Sequence, residues 1–162
     1  MSNPLINNPI FIQPVKNPHS IIQVIHAAFE RYEHTNMPSS AMLETADSIQ
    51  EDLTNQCTIL GAYEQNQLVG VVKVTIHDNH LYFGRLSVLP LHQGKGIASL
   101  LIEALKDLAK QHKKPFIKCT VRKAEEANVR LYHRLGYTIE QEKETVNCNG
   151  LCMDVYIMNL II

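Results

Sequence analysis

The sequence predicts an α+β fold, with a mixed, mostly antiparallel twisted sheet and helices on both faces. Three runs rich in β-branched and aromatic residues follow one another between residues 57 and 89. A long amphipathic helix pattern comes next, and strand patterns resume after it. The chain has 162 residues, close to the roughly 150 typical of one domain. We therefore expect residues 1–162 to form a single domain.

Composition excludes several classes of protein. Hydrophobic residues make up 45% and charged residues 19%, which is typical of globular proteins and not of disordered or collagen-like chains. The net charge of -1 disfavours a nucleic-acid binder. No run approaches the roughly 20 apolar residues of a membrane span, and no basic, apolar leader pattern precedes Lys16. We expect no membrane association and a cytoplasmic location.

The first third of the chain predicts one strand and two helices. Residues 10–13 are β-rich and are followed by Pro14. Asn17 and Pro18 then form a helix start signal, and apolar residues recur with a period of 3.6 as far as Tyr32. A second, weaker helix pattern covers residues 41–53.

The middle of the chain predicts an antiparallel meander and then a long helix. The strands cover residues 57–64, 67–76 and 81–89, and the two connections have hairpin-turn sequences. The helix begins near Gly96 and has a single apolar stripe, formed by Ile97, Leu100, Leu101, Ala104, Leu105 and Leu108.

The last third predicts a strand over residues 116–121, a short helix over 128–135 and a hairpin of residues 137–146 with 151–160. Gly136 suits the position just after the short helix. The strands before and after the long helix should run parallel, because a right-handed crossover joins them.

Cysteine and histidine spacings predict neither a disulfide framework nor a metal centre. The four cysteines, Cys57, Cys119, Cys148 and Cys152, are too few for such a framework in a chain of this length, and we expect free structural thiols. The eight histidines have no metal-binding spacing. We therefore expect no metal.

The stretch over residues 86–99 predicts an anion site. A strand ends there, a loop carries Gly94 and Gly96, and a helix starts. Backbone N–H groups at a helix start lack internal partners, so an oxyanion can bind them, and Lys95 adds a positive charge. The alternative is that both glycines serve only the turn. The spacing fits neither a P-loop nor a Rossmann fingerprint, because Lys95 is followed by Gly96 and Ser99 stands where a third glycine would be.

The run from Gln93 to Ala98, QGKGIA, fits the pattern Q/R-x-x-G-x-G/A. With the strand at residues 86–90 and the helix motif at 128–137, the chain resembles the GNAT superfamily of acetyl-CoA-dependent N-acetyltransferases over nearly its whole length. The resemblance implies a GNAT-type sheet in which two parallel strands splay apart to hold the cofactor. Here the opening should lie between residues 86–88 and 117–120.

The resemblance also implies which residues bind acetyl-CoA. The loop would hold the pyrophosphate, the strand before it would pair with pantetheine, and the late helix would contact the pantetheine arm and the sulfur. The cofactor-binding residues so implied are Leu86, Ser87, Val88, Gln93, Gly94, Lys95, Gly96, Ile97, Ala98, Ser99, Asn128 and Tyr132. Asn128 and Tyr132 are four apart, which places both on one helix face. The alternative for Tyr132 is a packing role with Leu131 and Leu135.

The implied reaction is direct transfer of acetyl from acetyl-CoA to a primary amine in a ternary complex. Tyr132 would hydrogen-bond or protonate the leaving thiolate, and the Val88 N–H would polarise the carbonyl. Residues 81–88 contain no acid, so Glu44 is the candidate base. The alternative is that a chain of ordered water molecules removes the proton and Glu44 is only a solvated carboxylate. Cys119 could suggest an acyl-cysteine relay, which the resemblance disfavours.

The partners implied are acetyl-CoA and an amine acceptor whose identity the sequence leaves open. An apolar C-terminus, from Leu160 to Ile162, suggests a homodimer. The competing function is an acyl-CoA-binding sensor of the same fold without turnover. Thiol release from acetyl-CoA in the presence of amines would distinguish an enzyme from a sensor.

Overall fold

The computed structural model describes residues 8–32, 38–147 and 149–162. Within them, strands and helices follow the predicted order. They are β1 (Ile10–Pro14), α1 (Pro18–Phe29), α2 (Ala46–Thr54), β2 (Thr58–Glu64), β3 (Gln67–Ile76), β4 (His80–Val88), α3 (Ile97–Gln111), β5 (Phe116–Arg122), α4 (Glu126–Arg134), β6 (Thr138–Val146) and β7 (Cys152–Ile161).

The strands form one sheet in the order β1-β2-β3-β4-β5-β7-β6. Neighbouring strands are antiparallel except β4 and β5, which run parallel on either side of the crossover helix α3. The predicted α+β class, with a mixed and mostly antiparallel sheet, is confirmed. Gln65 and Asn66 both have positive φ, 49° and 65°, as a tight hairpin between β2 and β3 requires.

Two boundaries differ from the prediction. The weak helix pattern over residues 41–53 divides into a 3₁₀ turn at Ser40–Leu43 and the helix α2. The division arises because Thr45 and Ser48 form a reciprocal capping box that starts α2. Helix α4 begins two residues earlier than expected and ends before Gly136, whose φ is 97°.

Helices cover both faces of the sheet, as predicted. On one face α1 and α2 bury Ile21, Ile25 and Ile49 against the strands. On the other face the buried residues of α3 are Ile97, Leu101, Ile102, Leu105 and Ala109, and α4 contributes Tyr132 to the same cluster. Leu100 of the predicted apolar stripe is 43% exposed. The ends of β4 and β5 therefore lie between two packed layers, which fixes the position of the cleft described below.

The structure describes Cys57, Cys119 and Cys152 as free thiols, and Cys148 lies outside the described residues. No helix in the described part of the chain combines the length and apolar character needed to cross a membrane. Nor do three His, Cys, Asp or Glu side chains come together there as a metal site would need.

Candidate functional site at the splayed strands

The parallel strands β4 and β5 separate part-way along their length. Their ladder consists of His80 with Phe116, Leu81 with Ile117, and Tyr82 with Lys118. Beyond these pairs, residues 83–88 of β4 have no partner in β5. The sheet is therefore open at this point, as the fold class predicts. The opening begins at residue 119 on β5 and not at 117, because Ile117 and Lys118 are still paired.

A β-bulge in β4 accompanies the separation. Ser87 pairs with Val71 and Gly84 with Lys73, so three steps along β4 oppose two along β3. The extra residue lies between them, where Arg85 has a φ of 53°. A bulge bends its strand and increases the local twist, which directs the end of β4 away from β5.

The start of α3 presents unpaired backbone amides beside the open strand. Gly94 and Gly96 have φ of 81° and 79°, values that favour glycine. Gly96 is the N-cap and no side chain caps the helix. The first intrahelical bond is from the Leu100 N–H to the Gly96 carbonyl at 3.1 Å. The amides of residues 97–99 are thus available to an anion.

A cavity of about 470 Å³ lies over this helix start. We call it the cofactor-side cavity. Nine of the predicted cofactor-binding residues line it: Leu86, Val88, Gln93, Gly94, Gly96, Ile97, Ala98, Ser99 and Asn128. Residues from a strand, a loop and two helices therefore meet as the sequence motifs predicted. Arg31 and Arg134 line it as well, and sequence reasoning did not identify either.

Three predicted residues lie outside this cavity. The Ser87 side chain is buried, and its hydroxyl donates to the Arg85 carbonyl at 2.8 Å. The Lys95 ammonium lies 3.5 Å from Glu64 Oε1, and His92 Nδ1 lies 3.1 Å from the other oxygen of Glu64. Glu64 thus ties the loop to β2. Tyr132, the third, belongs to the adjoining cavity.

The adjoining cavity has a volume of about 420 Å³. We call it the acceptor-side cavity, a label for its position on the other side of the cleft from the helix start. Its walls include Lys73, Tyr82, Arg85, Thr120, Arg122 and Tyr132. Five residues line both cavities: Phe29, Tyr32, Leu86, Glu125 and Asn128. The two cavities are therefore adjacent halves of one cleft, and they meet where β4 leaves β5.

Tyr132 is packed in the core and also lines the cleft. Its side chain is 5% exposed, and its ring packs edge-on against Phe83 with centroids 5.7 Å apart. It also lines the acceptor-side cavity. Burial raises the pKa of its phenol well above the usual value, because a low-dielectric site disfavours the phenolate. Tyr132 therefore stays protonated at neutral pH.

Glu44 lies behind Arg85, lining neither cavity. Its Oε1 is 3.7 Å from Arg85 Nη2, and its Oε2 is buried without a hydrogen-bond partner among the described residues. The structure thus places the predicted base next to the cleft but separated from it by a guanidinium group.

Glu125 is the carboxylate that lines both cavities, and the sequence analysis missed it. It lies at the N-cap of α4, hydrogen-bonds to Tyr32 and is 3.5 Å from Arg31 Nη2. In the sequence, only its position three residues before Asn128 could have indicated that Glu125 lies near the cleft. Contacts with Arg31 and Tyr32 come from residues more than 90 positions away, which no local pattern reveals.

Cys119 does not have the properties of an acyl-carrying nucleophile. It is buried, and burial raises its pKa to about 12. The thiolate, which is the nucleophilic form, is scarce at neutral pH. The residue is consequently a packing thiol on β5.

The sequence model of the GNAT acetyltransferase family matches residues 21–137. That range contains the splayed strands, the loop and α4. The chain belongs to the GNAT family of acetyltransferases. Membership gives the general activity, acetyl transfer.

Among characterised relatives, the L-methionine sulfoximine/L-methionine sulfone acetyltransferase of Salmonella typhimurium is 26% identical over 146 residues. The match covers 78% of this chain and 85% of that protein.

Solved structures of other GNAT proteins have the same fold. The GNAT family acetyltransferase from Streptococcus pneumoniae superposes with a TM-score of 0.74 at 21% identity, over 95% of this chain and 100% of that one. A Salmonella typhimurium acetyltransferase solved with acetyl-CoA superposes with a TM-score of 0.75 at 21% identity, over 95% of this chain and 94% of that one. The PaiA N-acetyltransferase from Thermoplasma acidophilum, solved with coenzyme A, superposes with a TM-score of 0.76 at 15% identity, over 95% of this chain and 99% of that one.

Proposed function

We propose that this chain transfers acetyl from acetyl-CoA to a primary amine by direct attack within a ternary complex. The observation that carries the proposal is the junction of the two cavities at the point where β4 separates from β5. A donor in one half and an acceptor in the other can be bound together. No covalent relay is needed, and Cys119 is unsuited to one.

In the proposed donor complex, the amides at the start of α3 bind the diphosphate and the open edge of β4 pairs with the pantetheine arm. Backbone geometry supports this pairing. The Leu89 N–H donates to the Val69 carbonyl of β3 at 2.9 Å. Since successive N–H groups of a strand point to opposite edges, the Val88 N–H faces the opening. There it can polarise the thioester carbonyl.

In the proposed reaction, the amine nitrogen attacks the thioester carbonyl carbon, the C–S bond breaks and its electron pair goes to sulfur. Tyr132 stabilises the sulfur by donating a hydrogen bond. Full proton transfer from an ordinary phenol to a thiolate is already uphill by about 2 kcal/mol. The raised pKa of Tyr132 makes it more so, which favours the hydrogen bond.

The amine must lose a proton, because only about 0.04% of a lysine-like amine is neutral at pH 7. Glu44 stays the predicted acceptor of this proton, which would have to pass Arg85 to reach it. Glu125 is a second candidate, since it lines both halves of the cleft.

We expect Glu44→Gln and Glu125→Gln to separate these candidates. Loss of the true base should lower kcat by roughly 10²-fold or more and remove its limb from the pH–rate profile. Loss of the other carboxylate should leave the shape of the profile unchanged. If both profiles keep their shape, neither residue is the base, and proton loss through a water chain replaces them.

The test of the proposed function is thiol release from acetyl-CoA with a panel of amines. The panel holds small amines, L-amino acids, peptides with free N-termini or lysines, and L-methionine sulfone, which the Salmonella relative's name indicates as a substrate. Mass spectrometry should find an N-acetylated product equal to the thiol released. Binding of acetyl-CoA by calorimetry without release for any amine would contradict the proposal and support the sensor.

Two expectations stay predictions. One is a homodimer formed through the apolar C-terminus, where Ile161 is 73% exposed. The other is a cytoplasmic location. Light scattering of the purified chain, with Ile161→Ser for comparison, tests the homodimer: the substitution should shift the mass towards that of one chain.

A further inference from the structure

We infer that the acceptor carries a carboxylate beside its amine, held by the guanidinium groups of Arg85 and Arg122. The inference rests on the proposed function and narrows its acceptor to amino-acid-like amines. A carboxylate on the α-carbon lies two bonds from the α-amine, so gripping the carboxylate also positions the nucleophile.

The acceptor-side cavity is lined by two arginines, residues suited to a carboxylate. Its lining contains the cations Lys73, Arg85 and Arg122 and one carboxylate, Glu125. Glu125 is already engaged by Arg31 and Tyr32. Lys73 is paired with Asp52 at 2.7 Å, so the inference rests on the two arginines. Arginine is the residue whose planar fork matches a carboxylate with two parallel hydrogen bonds.

Arg85 has a strained backbone at the point where β4 leaves β5. Its φ of 53° is unfavourable for a residue with a Cβ, and such outliers cluster at ligand sites. Ser40 Oγ accepts from Arg85 Nη1 at 3.1 Å, and Glu44 Oε1 lies 3.7 Å from Nη2. These contacts orient the guanidinium. Of its five N–H donors, one makes a described hydrogen bond, the one to Ser40.

Arg122 lies on the opposite wall, at the end of β5. Its Nη2 donates to the Pro38 carbonyl at 3.0 Å, and its guanidinium carbon lies 5.1 Å from the centre of the Tyr32 ring. Because β4 and β5 are no longer paired here, the two arginines line the same cavity from the two strands. The inferred carboxylate lies in this cavity, between the two strands that carry the arginines.

The experiment compares each acceptor acid with its own C-terminal amide. Protein L-amino acids and L-methionine sulfone are assayed in such pairs for thiol release from acetyl-CoA. Amidation removes the negative charge and lowers the amine pKa, which leaves more neutral amine at pH 7. Without carboxylate recognition the amide would be the better substrate. For an amino acid whose side chain the enzyme accepts, we expect the acid to have a kcat/KM at least tenfold higher than that of its amide.

The variants Arg85→Gln and Arg122→Gln should each lower kcat/KM for the acid by roughly 10- to 100-fold. For the amide each should lower kcat/KM by a smaller factor, so that the acid-to-amide ratio of kcat/KM falls by roughly tenfold or more. Arg85→Lys should recover part of the loss, which a folding defect would not allow. The matched control is Arg130→Gln, because Arg130 is 68% exposed, pairs with Glu126 at 3.9 Å and lines neither cavity.

An amide as good as its acid, or variants that weaken both equally, would overturn the inference and leave the proposed function standing. The same pairs titrated into CoA-bound protein report recognition without turnover. If they show tighter binding of the acid while no amine releases thiol, the proposed function fails and carboxylate recognition survives. Equal binding of acid and amide in that titration would overturn the inference as well.

Discussion

Tyr132 and Tyr137 belong to one aromatic cluster with Phe83, yet only Tyr132 reaches the cleft. The ring centroids of the two tyrosines lie 6.1 Å apart, and burial raises the pKa of both phenols. The Tyr137 hydroxyl is buried without a hydrogen-bond partner among the described residues. The two tyrosines therefore form a matched pair of similar burial and different position.

We expect Tyr132→Phe to lower kcat by roughly 10- to 100-fold, because the hydrogen bond to the leaving sulfur is lost. The KM for acetyl-CoA should change little. Tyr137→Phe should leave kcat unchanged and the free energy of unfolding equal or higher, because an unsatisfied buried hydroxyl is removed. Steady-state kinetics and urea unfolding of both variants check this. Equal kcat in both variants would show that the Tyr132 hydroxyl has no catalytic part.

At the residue scale, the four-residue spacing of Asn128 and Tyr132 predicted that both lie on one helix face, and both line the acceptor-side cavity. Local spacing could not predict that Glu44 lies behind Arg85 or that Glu125 meets Arg31. These contacts join segments 41 and 94 positions apart, counted from the residue numbers. Only the packing of α1 and the splay of the sheet brings them together.

At the scale of elements, the turn from β4 to α3 depends on two glycines with left-handed backbones. A Cβ at Gly94 or Gly96 would meet no atom of the described residues within 4 Å. A substitution there would not clash with the free protein. It would instead strain the backbone at a positive φ and obstruct a ligand that approaches the loop. Gly150, at the β6–β7 turn, has a φ of 77° and equally open space.

We expect Gly94→Ala and Gly96→Ala to weaken acetyl-CoA binding by roughly tenfold or more, because the amides move and the added methyl groups face the diphosphate. Gly150→Ala carries the same backbone cost, on the order of 1 kcal/mol, away from the cleft. It should lower stability to a similar extent and leave binding unchanged. Calorimetric titration with acetyl-CoA measures the difference. Equal binding by all three variants would argue against the proposed diphosphate site.

Glu64 links β2 to the same loop and should make stability depend on pH. Hydrogen bonds from Asn8 and His92 and the charge of Lys95 lower its pKa. A lowered folded-state pKa stabilises the protein above the unfolded-state value, and this contribution is lost as pH falls through the folded-state pKa. Glu64→Gln should therefore lower Tm near pH 7.

The Tm difference between Glu64→Gln and the unmodified chain should close as pH falls through the folded-state pKa of Glu64. Thermal melts from pH 7 to pH 3 measure it. Glu140→Gln is the control, because Glu140 pairs with Lys118 on the distant β5–β6 side. A gap that stays constant across this range would show that the Glu64 charge contributes nothing to stability.

At the scale of the whole molecule, donor binding should stabilise the fold. A ligand at 100 times its Kd adds about 2.7 kcal/mol, and for a domain of this size that raises Tm by roughly 5–10 °C. We expect this shift with acetyl-CoA. S-acetyl-N-acetylcysteamine, a thioester without a diphosphate, should give almost none at the same concentration. Equal shifts, measured by differential scanning fluorimetry, would contradict anchoring through the diphosphate.

The sequence by itself determined the order of strands and helices, the parallel crossover through α3 and the motif residues that line the cofactor-side cavity. The order of elements and the crossover follow from periodicity and turn chemistry, which act over a few residues. The motif residues follow from the resemblance to the GNAT family. The tertiary structure decided where β4 leaves β5, how Arg85 and Arg122 come to share a cavity, and that Glu125 and not Glu44 lines it. Those features depend on a one-residue bulge and on packing between distant segments, and neither leaves a local pattern in the chain.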